Sequence, residues 1–203
     1  MEYYFSTLKS QISSEIQHFP SAVRFFLLRI LLLSILWKCL YVFLLSEPKA
    51  LDEPLTEKVG QHSAWVLNQL YQSNQFYAKS LVTKNQFEGQ VQIIKGSHIY
   101  FGESLVMCIG DACNGLELFV LYVVFLIALP ASFKRKVIFI VGGLMIIHIV
   151  NIFRCVGLVA FLIYYDKYFN IAHHYIFKMM VYMVIFFLWV WFSKKVTFKL
   201  ITL

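Results

Sequence analysis

The 203-residue chain has little charge and few residues that break helices. Only 14% of its residues are charged, four are proline and nine are glycine, whereas 60% are hydrophobic. A soluble domain of this length could not bury so much apolar surface in its own core. These proportions exclude an ordinary soluble globular domain and indicate an integral membrane protein.

Cysteine patterns typical of metal or redox centres are also missing. No Cys-x-x-Cys pair occurs among Cys39, Cys108, Cys113 and Cys155, and no group of Cys and His has the spacing of zinc ligands. We therefore expect neither a metal nor a cofactor. The net charge of +7 comes from Lys and Arg that lie mostly beside apolar runs, as in the loops of membrane proteins. This placement favours a topological role and argues against nucleic-acid binding.

Four apolar stretches are candidates for membrane-spanning helices, which need about 20 residues each. They cover residues 23–45, 112–129, 137–165 and 175–192. The third is too long for one straight crossing, so we expect it to leave the hydrocarbon core near Arg154 or to tilt strongly. The sequence predicts an all-α membrane protein with about four transmembrane helices.

Basic segments predict the orientation of these spans. Residues 134–136 and 194–195 are short runs of Lys and Arg, which stay on the cytoplasmic side and place both termini there. Residues 1–22 form an amphipathic stretch, with Ile12, Ile16 and Phe19 among polar residues, that would lie along the inner surface. Because this stretch lacks the basic start of a signal peptide, we expect the first span to be a retained anchor.

Residues 46–111 contain most of the polar sequence and would form a small mixed extracytoplasmic segment. Within it, residues 64–71 have apolar residues at helical spacing, which predicts a short amphipathic helix. Residues 90–100 alternate as in a strand with a turn at Gly96-Ser97, and residues 104–109 predict a second strand. The remaining chain, 112–203, would be a three-helix catalytic membrane region.

Side chains suited to acyl transfer gather at the outer face on this topology. Cys113 begins the second span, Arg154 lies near the outer end of the third, and His173 and His174 begin the fourth. A thiolate benefits from a helix N-terminus and nearby positive charge. A histidine can move a proton near neutral pH, and a guanidinium can hold a developing oxyanion.

Each of these residues also has an explanation without function. A cysteine beside an apolar helix is usually inert packing, which suits Cys39 and Cys155, but Cys113 stands in the polar, turn-forming string 110–115. Arg154 could simply extend to lipid headgroups. Asn151, one helical turn earlier, favours a functional role instead, in which Asn151 supports Arg154. We interpret Asp111 as a helix N-cap.

The string Asp111-Ala112-Cys113-Asn114-Gly115-Leu116, the later Asn151-Ile152-Phe153-Arg154, and then His173 resemble the exosortase and archaeosortase family of membrane transpeptidases, in particular its short Bacteroidetes-type members. The resemblance covers about residues 91–191. The family usually has Ser where Asn114 stands, a position that needs a small polar residue. An acid commonly follows the family's histidine, where this chain has His174. Motif position assigns the role to His173, with His174 as the substitute.

The resemblance implies a multi-pass enzyme of the cell inner membrane with its active site on the extracytoplasmic face. Its substrates would be exported proteins with a C-terminal signal made of a short motif, an apolar span and a basic tail. Cys113 would form a thioester that an amine on a lipid or glycan, or water, then resolves. His173 would protonate the leaving amine and Arg154 would hold the oxyanion.

Two other classes of protein fit parts of the sequence. A membrane disulfide oxidoreductase could use Cys108 and Cys113, the only close cysteine pair, although their x4 spacing is not the usual Cys-x-x-Cys. A bond between them in the resting state would rule out the nucleophile. A non-catalytic membrane subunit, with Arg154 serving packing or lipid binding, would keep its activity when Cys113 is replaced by alanine.

Overall fold

The computed structural model describes residues 20–45, 49–87 and 90–194, and only the backbone of residues 44, 82–87 and 90–95. The amphipathic N-terminal stretch, apart from its last residues, and Lys195 lie outside the described residues. The described ranges are mainly helical and include one three-stranded antiparallel sheet. The prediction of an all-α membrane protein holds in its coarser form, since the described residues are mostly helical and the strands lie within the segment that was predicted to be mixed.

Five helices of more than ten residues occur in the described ranges. They are α1 (Ser21–Leu40), which continues as a π-helical turn (Tyr41–Leu45), α2 (Asp52–Leu70), α3 (Leu116–Ala128), α4 (Phe133–Tyr164) and α5 (Phe177–Ser193). Short elements lead into two of them. A 3-10 turn (Asp111–Cys113) precedes α3, and a 3-10 turn (Asp166–Tyr168), a short helix (Phe169–Ile171) and a π-helical turn (Ala172–Ile176) precede α5.

Three of the described helical runs are long and apolar enough to cross a membrane, namely Ser21–Phe43, Phe133–Tyr164 and Asp166–Ser193. They correspond to the first, third and fourth predicted spans. The second predicted span is shorter, because α3 has 13 residues. That is a length of roughly 20 Å, against about 30 Å of hydrocarbon core. The structure therefore has three helices of spanning length and one short apolar helix.

The short length of α3 follows from the residue before it. Gly115 adopts a left-handed conformation with φ of 88°, which a residue with a side chain rarely adopts. This conformation separates the 3-10 turn that contains Cys113 from the helix that begins at Leu116. The expectation that Cys113 heads the helix itself is therefore wrong.

The α4 helix runs unbroken for 32 residues, about 48 Å. Arg154 lies inside α4 and is 5% exposed, and the helix continues ten residues beyond it to Tyr164. Beyond that level Cys155, Val156 and Val159 pack against α2 and the sheet rather than against lipid. One part of this long helix therefore packs in the hydrophobic core formed with α2 and the sheet.

The sheet consists of β1 (Phe76–Phe87), β2 (Gln90–Phe101) and β3 (Ser104–Gly110) in the order β1-β2-β3. The predicted turn at Gly96-Ser97 is wrong, since both residues lie inside β2 and pair with β3. Gly96 allows the close approach of that strand, because a Cβ there would lie 2.8 Å from the Ile109 carbonyl oxygen. The predicted helix at 64–71 is the second half of α2, which begins at Asp52.

Two hydrophobic cores organise the molecule. The outer core joins α2, the sheet and the outer part of α4 through Val59, Leu67, Ile99, Ile109 and Val159. The inner core joins α3, α4 and α5 through Tyr122, Leu126, Ile147, Ile185 and Phe192. The candidate site lies where the two cores meet.

Basic residues pin one end of the inner helices. Arg135 donates to the Phe192 carbonyl oxygen and lies over the Phe192 ring, 4.9 Å from its centroid. Lys136 Nζ donates to the Ile127 carbonyl oxygen at 2.7 Å, in the last turn of α3. These contacts hold the ends of α3 and α5 beside the start of α4.

Candidate active site

The thiol of Cys113 lies on the 3-10 turn between β3 and α3, where the two cores meet. Its side chain is partly exposed. The strand, the turn and the left-handed Gly115 fix the backbone on both sides of it. The nucleophile candidate is therefore reachable from outside and held on a constrained loop.

Arg154 reaches this thiol from the middle of α4. Its Nη2 lies 3.4 Å from Cys113 Sγ, and its buried Nε has no hydrogen-bond partner among the described residues. A buried cation is costly unless negative charge or further acceptors compensate it. The guanidinium thus has one buried donor, Nε, without a partner, while its Nη2 lies beside the thiol.

His173 approaches the thiol from the π-helical turn ahead of α5. Its Nε2 lies 3.7 Å from Cys113 Sγ, and its ring lies parallel to that of Phe169 at 5.9 Å. His174 is exposed and meets the edge of the His173 ring at 4.8 Å. The structure therefore brings His173, not His174, to the thiol. Both lie within the last helical run rather than at its start.

Asn151 has a different contact from the one expected. Its Nδ2 donates to the Cys113 carbonyl oxygen at 2.9 Å, and the residue is fully buried. Its buried Oδ1 has no partner among the described residues. The asparagine thus holds the backbone of the thiol-bearing turn, whereas the sequence had suggested that it would support Arg154.

Asn114 joins the turn to the start of α2. Its Oδ1 accepts from the Leu116 amide at 2.8 Å, and its Nδ2 donates to Asp52 Oδ1 at 2.9 Å. The other Asp52 oxygen accepts from the Tyr41 hydroxyl at 2.7 Å. Sequence reasoning missed Asp52 and Tyr41. The run Asp52-Glu53-Pro54 indicates a helix start, since acids and proline favour the first turn, but it gives no sign of a partner.

Asp111 has no capping role in the structure. Its carboxylate pairs with Lys49 Nζ at 2.5 Å and accepts from Thr56 Oγ1 at 3.3 Å. The N-cap interpretation is therefore wrong, because the carboxylate turns towards α2 instead of the start of α3. Asp111 and Asn114 together fasten the thiol-bearing turn to α2 from two sides.

The four cysteines are free thiols, Cys108 and Cys113 included. Burial, and to a lesser degree the neighbouring Cys113, raise the pKa of Cys108 on β3. The described residues contain no group of three or more Cys, His, Asp or Glu placed to hold a metal ion.

A cleft of about 170 Å³ opens beside the thiol-bearing turn. Ala112 and Asn114, which flank the thiol, line it together with Arg154 and with Lys178 and Tyr182 of the last helical run. The cleft gives a reacting group access to the side of the turn on which the guanidinium lies.

The fold and this geometry define a helical membrane protein with a thiol, an imidazole and a guanidinium at one site. A family model described as transmembrane exosortase (Exosortase_EpsH) matches residues 21–191. The chain belongs to this family, as the three motifs had indicated. No matching curated protein and no matching solved structure were found. Membership supports a membrane transpeptidase role in sorting exported proteins.

Proposed function

We propose that this protein is a thiol transpeptidase that cleaves the C-terminal sorting signal of exported proteins and transfers the product to an amine or to water. One observation carries the proposal. The Cys113 sulfur lies within hydrogen-bonding reach of both Arg154, at 3.4 Å, and His173, at 3.7 Å. Candidate nucleophiles and bases often lie at such loose distances before substrate binds.

The reaction would proceed in two balanced steps. His173 takes the thiol proton while Cys113 Sγ attacks the scissile carbonyl carbon, and the guanidinium of Arg154 stabilises the oxyanion. His173 then gives the proton to the leaving amine as the C–N bond breaks, which leaves a thioester. An amine of a lipid or glycan, or water, attacks the thioester and gives its proton to His173; as the C–S bond breaks, the departing Cys113 thiolate takes that proton from His173 and the thiol is restored.

The site would face the extracytoplasmic side of the cell inner membrane, with both termini cytoplasmic. Arg135 and Lys136 lie at the end of the bundle opposite the thiol, and basic residues favour the cytoplasmic face. The α3 helix, although short, would be the second of four crossings in chain order, because it runs from the thiol-bearing turn to that basic end. The outer core of α2 and the sheet would then stand outside the membrane.

A processing assay in cells tests the proposal. An exported reporter is fused to a candidate C-terminal sorting signal from the same genome and followed with the wild type, Cys113→Ala and the exposed-cysteine control Cys39→Ala. We expect processing by the wild type and the control only. Mass spectrometry of the new C-terminus would identify an amine adduct or a free acid. Equal processing by Cys113→Ala would refute the proposal.

A further inference from the structure

An open apolar groove separates α1 from α3 on the membrane side of the molecule. It has a volume of about 410 Å³ and is lined by Ile30 and Ser34 of α1, Leu121 and Val124 of α3, and Trp189. The α1 helix buries none of its residues, and Phe26 meets Phe125 edge-on at 5.5 Å. This helix therefore forms one wall of the groove without closing it.

The groove continues to the thiol-bearing turn. Trp37, Lys38 and Glu117 line both the groove and a second cleft of about 220 Å³, which also reaches Asp52 and Asn114. That second cleft shares Asn114 and Glu117 with the cleft beside Arg154. The three spaces follow one another from the groove to Ala112 and Asn114, the residues on either side of Cys113.

We propose that this groove binds an apolar helix of a membrane-anchored substrate, with the start of that helix at Glu117. The residues just before the helix would then run through the two polar clefts to Cys113. The inference rests on the proposed function and adds to it a docking surface on this chain. On this proposal the distance between Glu117 and Cys113 sets how far the cleaved bond lies from the start of the bound helix.

The charges near Glu117 favour a helix over a phospholipid. Asp52, Asp111 and Glu117 line the second cleft against Lys38, while Lys49 is already paired with Asp111. With Asp111 and Lys49 counted as a pair, Asp52 and Glu117 outnumber Lys38, so a phosphate headgroup would face one net carboxylate. A helix that enters the membrane from outside presents its unpaired N–H groups and positive dipole end instead, which suits a carboxylate.

The α1 surface also suits a helical partner. Ile30, Ser34, Trp37 and Lys38 share one face at helical spacing, as in helix-in-groove recognition. Ser34 in the middle of this face is small, and small residues allow close approach of helices in membranes. Leu32 and Leu36 lie on the opposite face and are exposed, so they provide matched controls.

Photocrosslinking tests where the substrate lies. A diazirine amino acid no larger than leucine is placed at Ser34 or at Leu36 in the Cys113→Ala background, with the same sorting-signal reporter expressed. We expect a reporter adduct from position 34 that is at least tenfold stronger than from position 36, with the crosslink in the apolar span of the reporter. Equal yields, or lipid adducts alone at position 34, would overturn the proposal.

Filling the groove gives a second, functional readout. Ser34→Trp should raise the KM for the anchored reporter at least tenfold, whereas Leu36→Trp should leave it unchanged. Alkylation of Cys113 by iodoacetamide should proceed at the wild-type rate in both variants, which shows that the site is intact. Wild-type processing by Ser34→Trp would overturn the groove alone, because Cys113-dependent processing would stand. Processing by Cys113→Ala would instead refute the catalytic proposal.

Discussion

Replacing Asp52 by alanine should disable the site without touching any reacting atom. Asp52 is 4% exposed and accepts from Tyr41 at 2.7 Å and from Asn114 at 2.9 Å. Hydrogen bonds to a charged group contribute about 1.5–3 kcal/mol each. Their loss leaves the buried Asn114 amide with only its long bond, 3.5 Å, to the Asp52 backbone carbonyl oxygen. If about 2 kcal/mol of this loss is added to the activation free energy because the nucleophile is misplaced, kcat/KM falls roughly 30-fold, since 1.36 kcal/mol corresponds to a factor of ten.

The assay combines reporter processing with alkylation of Cys113 by iodoacetamide and a thermal melt in detergent. Asp52→Asn keeps the shape and one acceptor for Asn114, so its processing should recover to within about tenfold of wild type. Glu57→Ala removes a partly exposed carboxylate of α2 that accepts from Gln61 at 2.8 Å, and should have no effect. A folded Asp52→Ala protein that processes and alkylates at the wild-type rates would refute the positioning role.

Three further predictions concern other parts of the molecule. His173→Gln should lower processing at least 100-fold and His174→Gln less than threefold, measured with the same reporter, because only His173 lies 3.7 Å from the sulfur; equal losses would contradict this. Alkylation of Cys108 should be slow at pH 7 and rise about tenfold per pH unit, because its pKa is raised. It should quicken in Cys113→Ala, which removes one cause of the shift, and an unchanged rate would contradict this. Gly143→Leu should lower the melting temperature, because even a Cβ at this position would lie 2.2 Å from the Tyr122 hydroxyl. An unchanged melting temperature would contradict this.

The sequence predicted the gathering of the site better than its supports. Cys113, Arg154 and His173 could be brought together because alternating spans place their ends on one side. The bonds from Asn114 to Asp52 join residues 62 positions apart and depend on where α2 packs, which no periodicity reports. Asp111 was misinterpreted for the same reason, since its partner Lys49 also lies 62 positions away.

Two features of the helices differed from expectation: α3 begins later than predicted, and the far part of α4 packs in a protein core. A purely apolar pattern cannot show that Gly115 adopts φ of 88° and delays α3 to Leu116. Nor does it show that Val156 and Val159 are covered by protein instead of lipid. Hydropathy indicates only that an apolar side chain avoids water, and either a protein core or a lipid environment meets that requirement.

The distances along the chain between the site residues have a consequence for biosynthesis. During synthesis Cys113 is made before both of its partners, since Arg154 lies 41 positions later in the chain and His173 lies 60 positions later. Its turn is fastened to α2, which is made first, but the cation and the proton carrier arrive only with the last two long helices. A ribosome-bound chain that has inserted only its first two apolar segments has the thiol, but it lacks Asn151, which holds the thiol-bearing turn, as well as Arg154 and His173. On the proposed function, activity begins only when the last two long helices have been made, so the protein does not act on substrates during the early steps of its own insertion.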